Sequence, residues 1–97
     1  MSDTDLSDKI EQLKKIQKDA GEDAGYEIGL AIRDLESLDD CRSLRDKGDA
    51  LSSASRYLRD RGSLPESQRG WVVEFSANLQ QAADELYRAS DLLKRRY

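Results

Sequence analysis

The chain has 97 residues, 37% of them hydrophobic and 37% charged, with a net charge of −4. The charged share lies well above the ~25% of an ordinary globular domain, yet the apolar residues recur periodically, which argues against a disordered chain. A single cysteine rules out an intrachain disulfide, and no apolar run approaches the ~20 residues of a membrane span.

The first predicted element is a helix from about Asp5 to Lys18. Leu6, Ile10, Leu13 and Ile16 recur at three- and four-residue steps along it. Acids near its start and Lys14, Lys15 and Lys18 near its end suit the helix dipole. The stretch Asp19–Gly29 follows, with glycines four apart at Gly21, Gly25 and Gly29. It reads as a loop to about Asp23, capping a second helix, or as a close-packing glycine stripe. The cost of about 1 kcal/mol per helical glycine favours a loop at Gly21 and close packing only at Gly25 and Gly29.

Ile28, Ala31, Ile32, Leu35 and Leu38 mark the second helix. The stripe then slips by one residue to Cys41, Leu44, Leu51 and Leu58. A break at Asp39–Asp40, with either acid capping a third helix, accounts for the slip; one long bent helix is the alternative. Gly48 would be the place for a kink in the third segment. That helix is expected to end at Gly62. Ser63 and Glu66 have capping-box spacing, and Pro65 suits the first turn of a last, longest helix.

On this last helix Val72, Phe75, Leu79, Ala82, Leu86, Ala89 and Leu93 form a seven-residue repeat. Trp71 lies at the edge of the stripe, four residues from Phe75, so the two rings share a face. The fold class expected is therefore all-α: a small antiparallel bundle of three to four helices in one domain, residues 1–97, with a long C-terminal helix. Val73, Gln80 and Tyr87 form a thinner second row, which is either ordinary surface or a contact seam for a partner or a second copy.

Chemistry is sparse. With no histidine, the commonest general base, the Ser–His and Cys–His pairs and most zinc sites are missing. Cys41 is expected as a small core residue, with a reactive thiol as the alternative. The acids Asp19, Glu22, Asp23, Asp39 and Asp40 match no calcium-loop spacing, and no phosphate-binding glycine loop occurs. No enzyme, cofactor or metal is expected.

Two patches remain. Residues 1–50 carry 14 acids and 8 bases, and residues 51–97 carry 6 acids and 8 bases. In the acidic half Asp34, Glu36, Asp39 and Asp40 form a candidate partner-binding face, able to occupy a basic groove meant for nucleic acid. In the other half Arg56, Arg59 and Arg61, with Tyr57 among them and Arg69 across the turn, are candidate phosphate contacts. The same arginines also complement a helix C-terminus.

Gly62, Leu64, Gln68, Trp71 and Val72, within Leu51–Phe75, resemble a helix–turn–helix stretch of phage-encoded small proteins associated with helicase and recombination functions. Pro65 stands where those proteins carry serine. The resemblance covers about a quarter of the chain and touches structural residues only. It implies a phage or mobile-element origin and carries over no catalytic residue. The expectation is a cytoplasmic, non-enzymatic, anti-CRISPR-like interaction module. It would bind and inhibit a host defence or nucleic-acid-processing complex, with a homodimer possible and no membrane contact. The alternative is an accessory nucleic-acid-binding factor using the Arg56–Arg69 region.

Overall fold

The structure is a computed structural model that describes residues 3–59 and 64–96. It consists of α1 (Asp3–Asp19), α2 (Glu22–Glu36), a 3-10 turn (Leu38–Asp40), α3 (Leu44–Leu58) and α4 (Glu66–Arg96). No strand occurs among the described residues, and the architecture is a small all-α antiparallel bundle. At 1.5 Å per residue, α4 spans about 46 Å, close to the 48 Å long dimension of the whole molecule. The long C-terminal helix is the spine on which α3 lies, with α2 on α3 and α1 on α2.

One core joins all four helices. Leu13 and Ile16 come from α1; Ile28, Ala31, Ile32 and Leu35 from α2; Leu51, Ala54 and Leu58 from α3; Val72, Phe75, Leu79 and Ala83 from α4; and Leu64 closes it from the turn. The predicted apolar stripes supply most of these residues. On α4 the burial moves from the expected Ala82 to Ala83, and Leu93, expected on the seam, is 47% exposed. A straight helix has 3.6 residues per turn, so a seven-residue repeat drifts by about 20° per heptad; Leu93, five full turns after the buried Phe75 and on the same side of the helix, is exposed instead because it lies beside Leu44, where α3 begins. Trp71 and Phe75 do meet, with ring centroids 6.4 Å apart and a tilt of 44°. Lys9 Nζ of α1 sits 5.0 Å from the centre of the Trp71 ring, and the indole N–H donates to Gln68 Oε1.

α2 and α3 are separate helices, which excludes the single bent helix. The break falls where the acids suggested it, but neither Asp39 nor Asp40 caps α3. The cap is Ser43, whose Oγ accepts from the Asp46 backbone N–H at 3.0 Å, as an extended serine before a helix does. The second helix likewise starts earlier than expected, at Glu22, with Gly21 in the N-cap position and no side-chain capping bond. Cys41 is not a core residue. It is half-buried at the end of the 3-10 turn, its thiol 3.5 Å from the Ser37 carbonyl oxygen. Gly62 and Ser63, expected to end α3 and cap α4, lie outside the described residues.

The glycines explain two close approaches. Gly25 and Gly29 face Gln17 of α1, whose amide N–H donates to the Gly25 carbonyl at 3.1 Å. A methyl group at Gly29 would sit 2.6 Å from Gln17 Nε2. The close packing expected there is real, and a polar side chain fills it. α3 runs unbroken through Gly48, which is buried beneath the Tyr87 ring of α4; a methyl group there would sit 2.9 Å from Cε1. Ser55 and Ser76 lock the same interface. Each hydroxyl donates to the other residue's carbonyl oxygen, at 2.7 and 2.8 Å, in a fully buried exchange. Such a pair leaves no buried donor unsatisfied, a condition worth about 1–3 kcal/mol per group when violated.

Candidate functional site

Antiparallel packing of α1 on α2 brings the first turns of α1 beside the last turn of α2. Between them runs a groove of about 330 Å³. Leu6, Ile10, Leu35 and Leu38 give it an apolar lining, and Glu11, Glu36 and Asp39 stand around it. Lys14 reaches across the rim, 3.3 Å from Glu36 and 3.7 Å from Glu11. Both contacts are solvent-exposed, so each contributes on the order of 0–1 kcal/mol and can open readily.

The four acids of the predicted face divide. Glu36, Asp39 and Asp40 are exposed at this end of the bundle, with Asp39 and Asp40 presented by the 3-10 turn. Asp34 is half-buried instead. Desolvation raises its pKa above the ordinary 3.8, partly offset by the neighbouring Arg33. The groove adds Glu11 and the apolar pairs Leu6–Ile10 and Leu35–Leu38, which the sequence reading assigned to the helix stripes alone. Their half-burial marks them: Leu6, Ile10 and Leu38 edge the core without entering it.

The second row on α4 does not make one free face. Val73 is 40% exposed and edges a shallow groove with Arg59, Ala77 and Gln81. Gln80 and Tyr87 turn instead toward α3. Gln80 accepts from Ser52 Oγ at 3.3 Å, and its amide donates to Asp84 at 3.1 Å. The Tyr87 hydroxyl donates to Asp49 at 2.6 Å. That bond, with smaller contributions from burial and the Asp49 charge, raises the tyrosine pKa above 10.0. These side chains hold the α3–α4 interface together, so the row divides between surface and packing.

Arg56 and Arg59 are exposed toward the end of α3, and Arg69 is half-buried on α4. Arg59 and Arg69 already have interactions within the chain. Arg61, the fourth candidate phosphate contact, lies outside the described residues. Tyr57 packs against the core.

Among the described residues no group of three or more His, Cys, Asp or Glu side chains is placed to hold a metal ion. No helix of the described residues is long and apolar enough to cross a membrane. A second groove, about 460 Å³, lies between the end of α1 and the start of α4, where Ile16, Ala20, Leu64 and Trp71 meet Lys15 and Gln68. What the surface offers chemically is grooves of mixed apolar and charged lining, suited to holding a side chain or a helix face of another molecule. No family model matches this chain, and neither the curated proteins nor the solved structures give a match to it.

Proposed function

We propose that the chain is a non-enzymatic protein-interaction module. In its most concrete form it is a phage or mobile-element inhibitor, anti-CRISPR-like, that binds a host defence or nucleic-acid-processing complex in the cytoplasm. The observation that carries this reading is the α1–α2 groove, where Leu6, Ile10 and Leu38 meet the acids Glu11, Glu36 and Asp39, two of which Lys14 bridges. A basic surface that normally holds nucleic acid is complementary to such an end. Electrostatic complementarity of this kind steers association and selects partners. The phage setting comes from the resemblance of Leu51–Phe75, and the non-enzymatic reading from the missing histidine and the unpaired catalytic chemistry.

The test is affinity capture of the tagged protein from bacterial lysate, with and without nuclease, beside the variant Glu36→Lys/Asp39→Lys/Asp40→Lys. A stoichiometric protein partner that survives nuclease, weakens with salt and is lost to the variant is the expected result. Equal capture by the variant, with unchanged salt dependence, overturns the acidic-groove reading. Partners that vanish with nuclease would transfer the function to the alternative, an accessory nucleic-acid-binding factor acting through Arg56, Arg59 and Arg69.

A further inference from the structure

The turn between α1 and α2 consists of Ala20 and Gly21 alone. Helical bonding reaches it from both sides. The Ala20 N–H still donates to the Ile16 carbonyl at 2.9 Å, and the Gly21 carbonyl already accepts from the Gly25 N–H at 2.8 Å. Gly21 has a helical φ of −64°, and its ψ of 169° is what departs from the helix. It gives α2 no side-chain cap, and a methyl group added to it would meet nothing within 4 Å. Neither a positive φ nor a close neighbour therefore calls for glycine in this turn.

The helices on either side of the turn are in phase. Leu6, Ile10 and Leu13 of α1 and Ile28, Ala31 and Leu35 of α2 belong to one row, and Gln17, Ala20 and Ala24 fill the interval at three- and four-residue steps. Carried through the turn as a single helix at 100° per residue, this row stays within a stripe about 80° wide. At the next junction, Asp39–Asp40, the apolar row slips by one residue instead. On a joined helix Gly21 falls into the row that makes the α1–α2 contact. Lys14 and Gln17 precede it, reaching Glu36 and Gly25, and Gly25 and Gly29 follow it.

Joining would give the N–H groups of Glu22, Asp23 and Ala24 the carbonyls of Lys18, Asp19 and Ala20. It would set Lys18 one turn from Glu22, which favours the joined form, and Asp19 one turn from Asp23, which opposes it. α1 is also lightly held. Of its described side chains only Leu13 and Ile16 are buried, and its Lys14 ion pairs are exposed.

We propose that two copies of this chain exchange α1, the turn at Ala20–Gly21 straightening so that α1 and α2 become one helix from Asp3 to Glu36. Each α1 seats on the α2 of the other copy, through the contacts it makes in the closed chain. Because Gln17 faces Gly25 and Gly29, the two-fold axis of the pair falls near Gly21–Asp23, where the two Gly21 residues let the long helices approach. The turn lies beside Leu64 and Pro65 at the start of α4, so the far end of α4 points away from the joint. Each groove of Leu6, Ile10, Leu35 and Leu38 is then built from two chains, whatever that groove binds.

Sedimentation equilibrium of the untagged chain, refolded at millimolar concentration under reducing conditions, tests the exchange. The wild type is expected to contain a species of twice the mass of one chain. Gly21→Ala, which favours a joined helix, is expected to pair at least tenfold more tightly. Inserting Gly-Ser-Gly after Ala20 favours the closed turn and is expected to leave the mass of one chain, with helical circular dichroism and Tm checked to confirm the fold. The exchange itself is read in chains that carry Cys41→Ser. A Cβ added at Gly25 lies 4.0 Å from Gln17 Cγ, within reach of a disulfide. Gln17→Cys on one chain and Gly25→Cys on another, refolded together and oxidised, should give a covalent pair, and the same two chains with the insertion should not. A wild type that stays at the mass of one chain overturns the proposal, as does a Gly21→Ala chain that pairs no more tightly. So does a dimer that survives the insertion, or one that forms no disulfide between the two cysteine chains.

Discussion

The contact between α3 and α4 and the contact between α1 and α2 are built by different means. Both bring a glycine-bearing helix against an antiparallel neighbour. At α3–α4 the space over Gly48 is closed by the Tyr87 ring, which is tethered to Asp49, and the register is set by the buried Ser55–Ser76 exchange. At α1–α2 the space over Gly29 is closed by the end of a flexible glutamine. α1 brings only Leu13 and Ile16 into the core, whereas α3 and α4 together supply half of it. Two grooves with charged residues at their edges lie where α1 meets its neighbours. The chain thus has a rigid pair of helices and a softer pair, and its candidate binding groove is on the softer one, where local opening is easiest.

The sharpest way to break this contrast is a pair of core truncations. Phe75→Ala should cost about 3–5 kcal/mol and Ile16→Ala about 2 kcal/mol in urea unfolding, because the second site lies nearer the surface and can collapse. Equal costs would mean that α1 is as tightly coupled as α4. Native-state hydrogen exchange adds a second readout: α1 amides should exchange through a lower-energy opening than those of α3 and α4.

The two glycines divide the halves more finely. Alanine is favoured over glycine in a helix by about 1 kcal/mol. At Gly48 the added methyl meets a ring that cannot fold away, and overpacking costs about 1–3 kcal/mol. Gly48→Ala should therefore be destabilising by about 1 kcal/mol net. At Gly29 the obstacle is a terminal amide that can swing out, losing one hydrogen bond of about 0.5–1.5 kcal/mol. Gly29→Ala should leave Tm nearly unchanged. A destabilisation there matching that of Gly48→Ala would show the glutamine filler to be as rigid as the tyrosine plate.

These residues also mark how far the sequence could be read. Helix number, the long last helix and most of the core follow from apolar spacing, since burial of an amphipathic stripe is what that spacing encodes. The passage from Ala82 to Ala83 was not legible, because a repeat of seven and a turn of 3.6 differ by less than one position over two heptads. Nor was the cap at Ser43, as Asp39, Asp40 and Ser43 all have capping side chains and only tertiary packing selects one. Ser55, Ser76, Gln17 and Tyr87 are polar or amphipathic residues whose partners lie on other helices, so no local pattern exposes them. For the candidate site, the acids were legible as charge. Their meeting with Leu6 and Ile10 from α1 depends on how α1 seats on α2.

Tyr87→Phe removes the hydroxyl bond to Asp49 while keeping the ring over Gly48. The bond is reached by solvent, so the loss should be only about 0.5 kcal/mol, at the low end for a hydrogen bond. Because the folded pKa of Tyr87 lies above its ordinary 10.0, the associated stability is present at neutral pH and is lost as pH rises through that raised value. Wild type and Tyr87→Phe should therefore converge in Tm only under strongly alkaline conditions. Convergence already near pH 8 would assign the tyrosine's contribution to something other than this bond.

The smallest expected effect falls on the acidic side of the molecule and bears on why an acid is there at all. Asp34 has its pKa raised by burial against the opposing pull of Arg33. A raised carboxyl contributes stability at pH values below its unfolded pKa, and that contribution is lost as pH rises through the folded value. At neutral pH the ionised Asp34 is thus a slight burden on the fold. Asp34→Asn should raise Tm a little at pH 7, and the advantage should close below about the ordinary carboxylate pKa of 3.8. A lower Tm at pH 7 would mean that the Arg33 contact outweighs desolvation. If the variant is more stable and also captures its partner less well, the acid is retained for recognition at the fold's expense. That outcome would tie this half-buried residue to the exposed Glu36, Asp39 and Asp40 as one binding face.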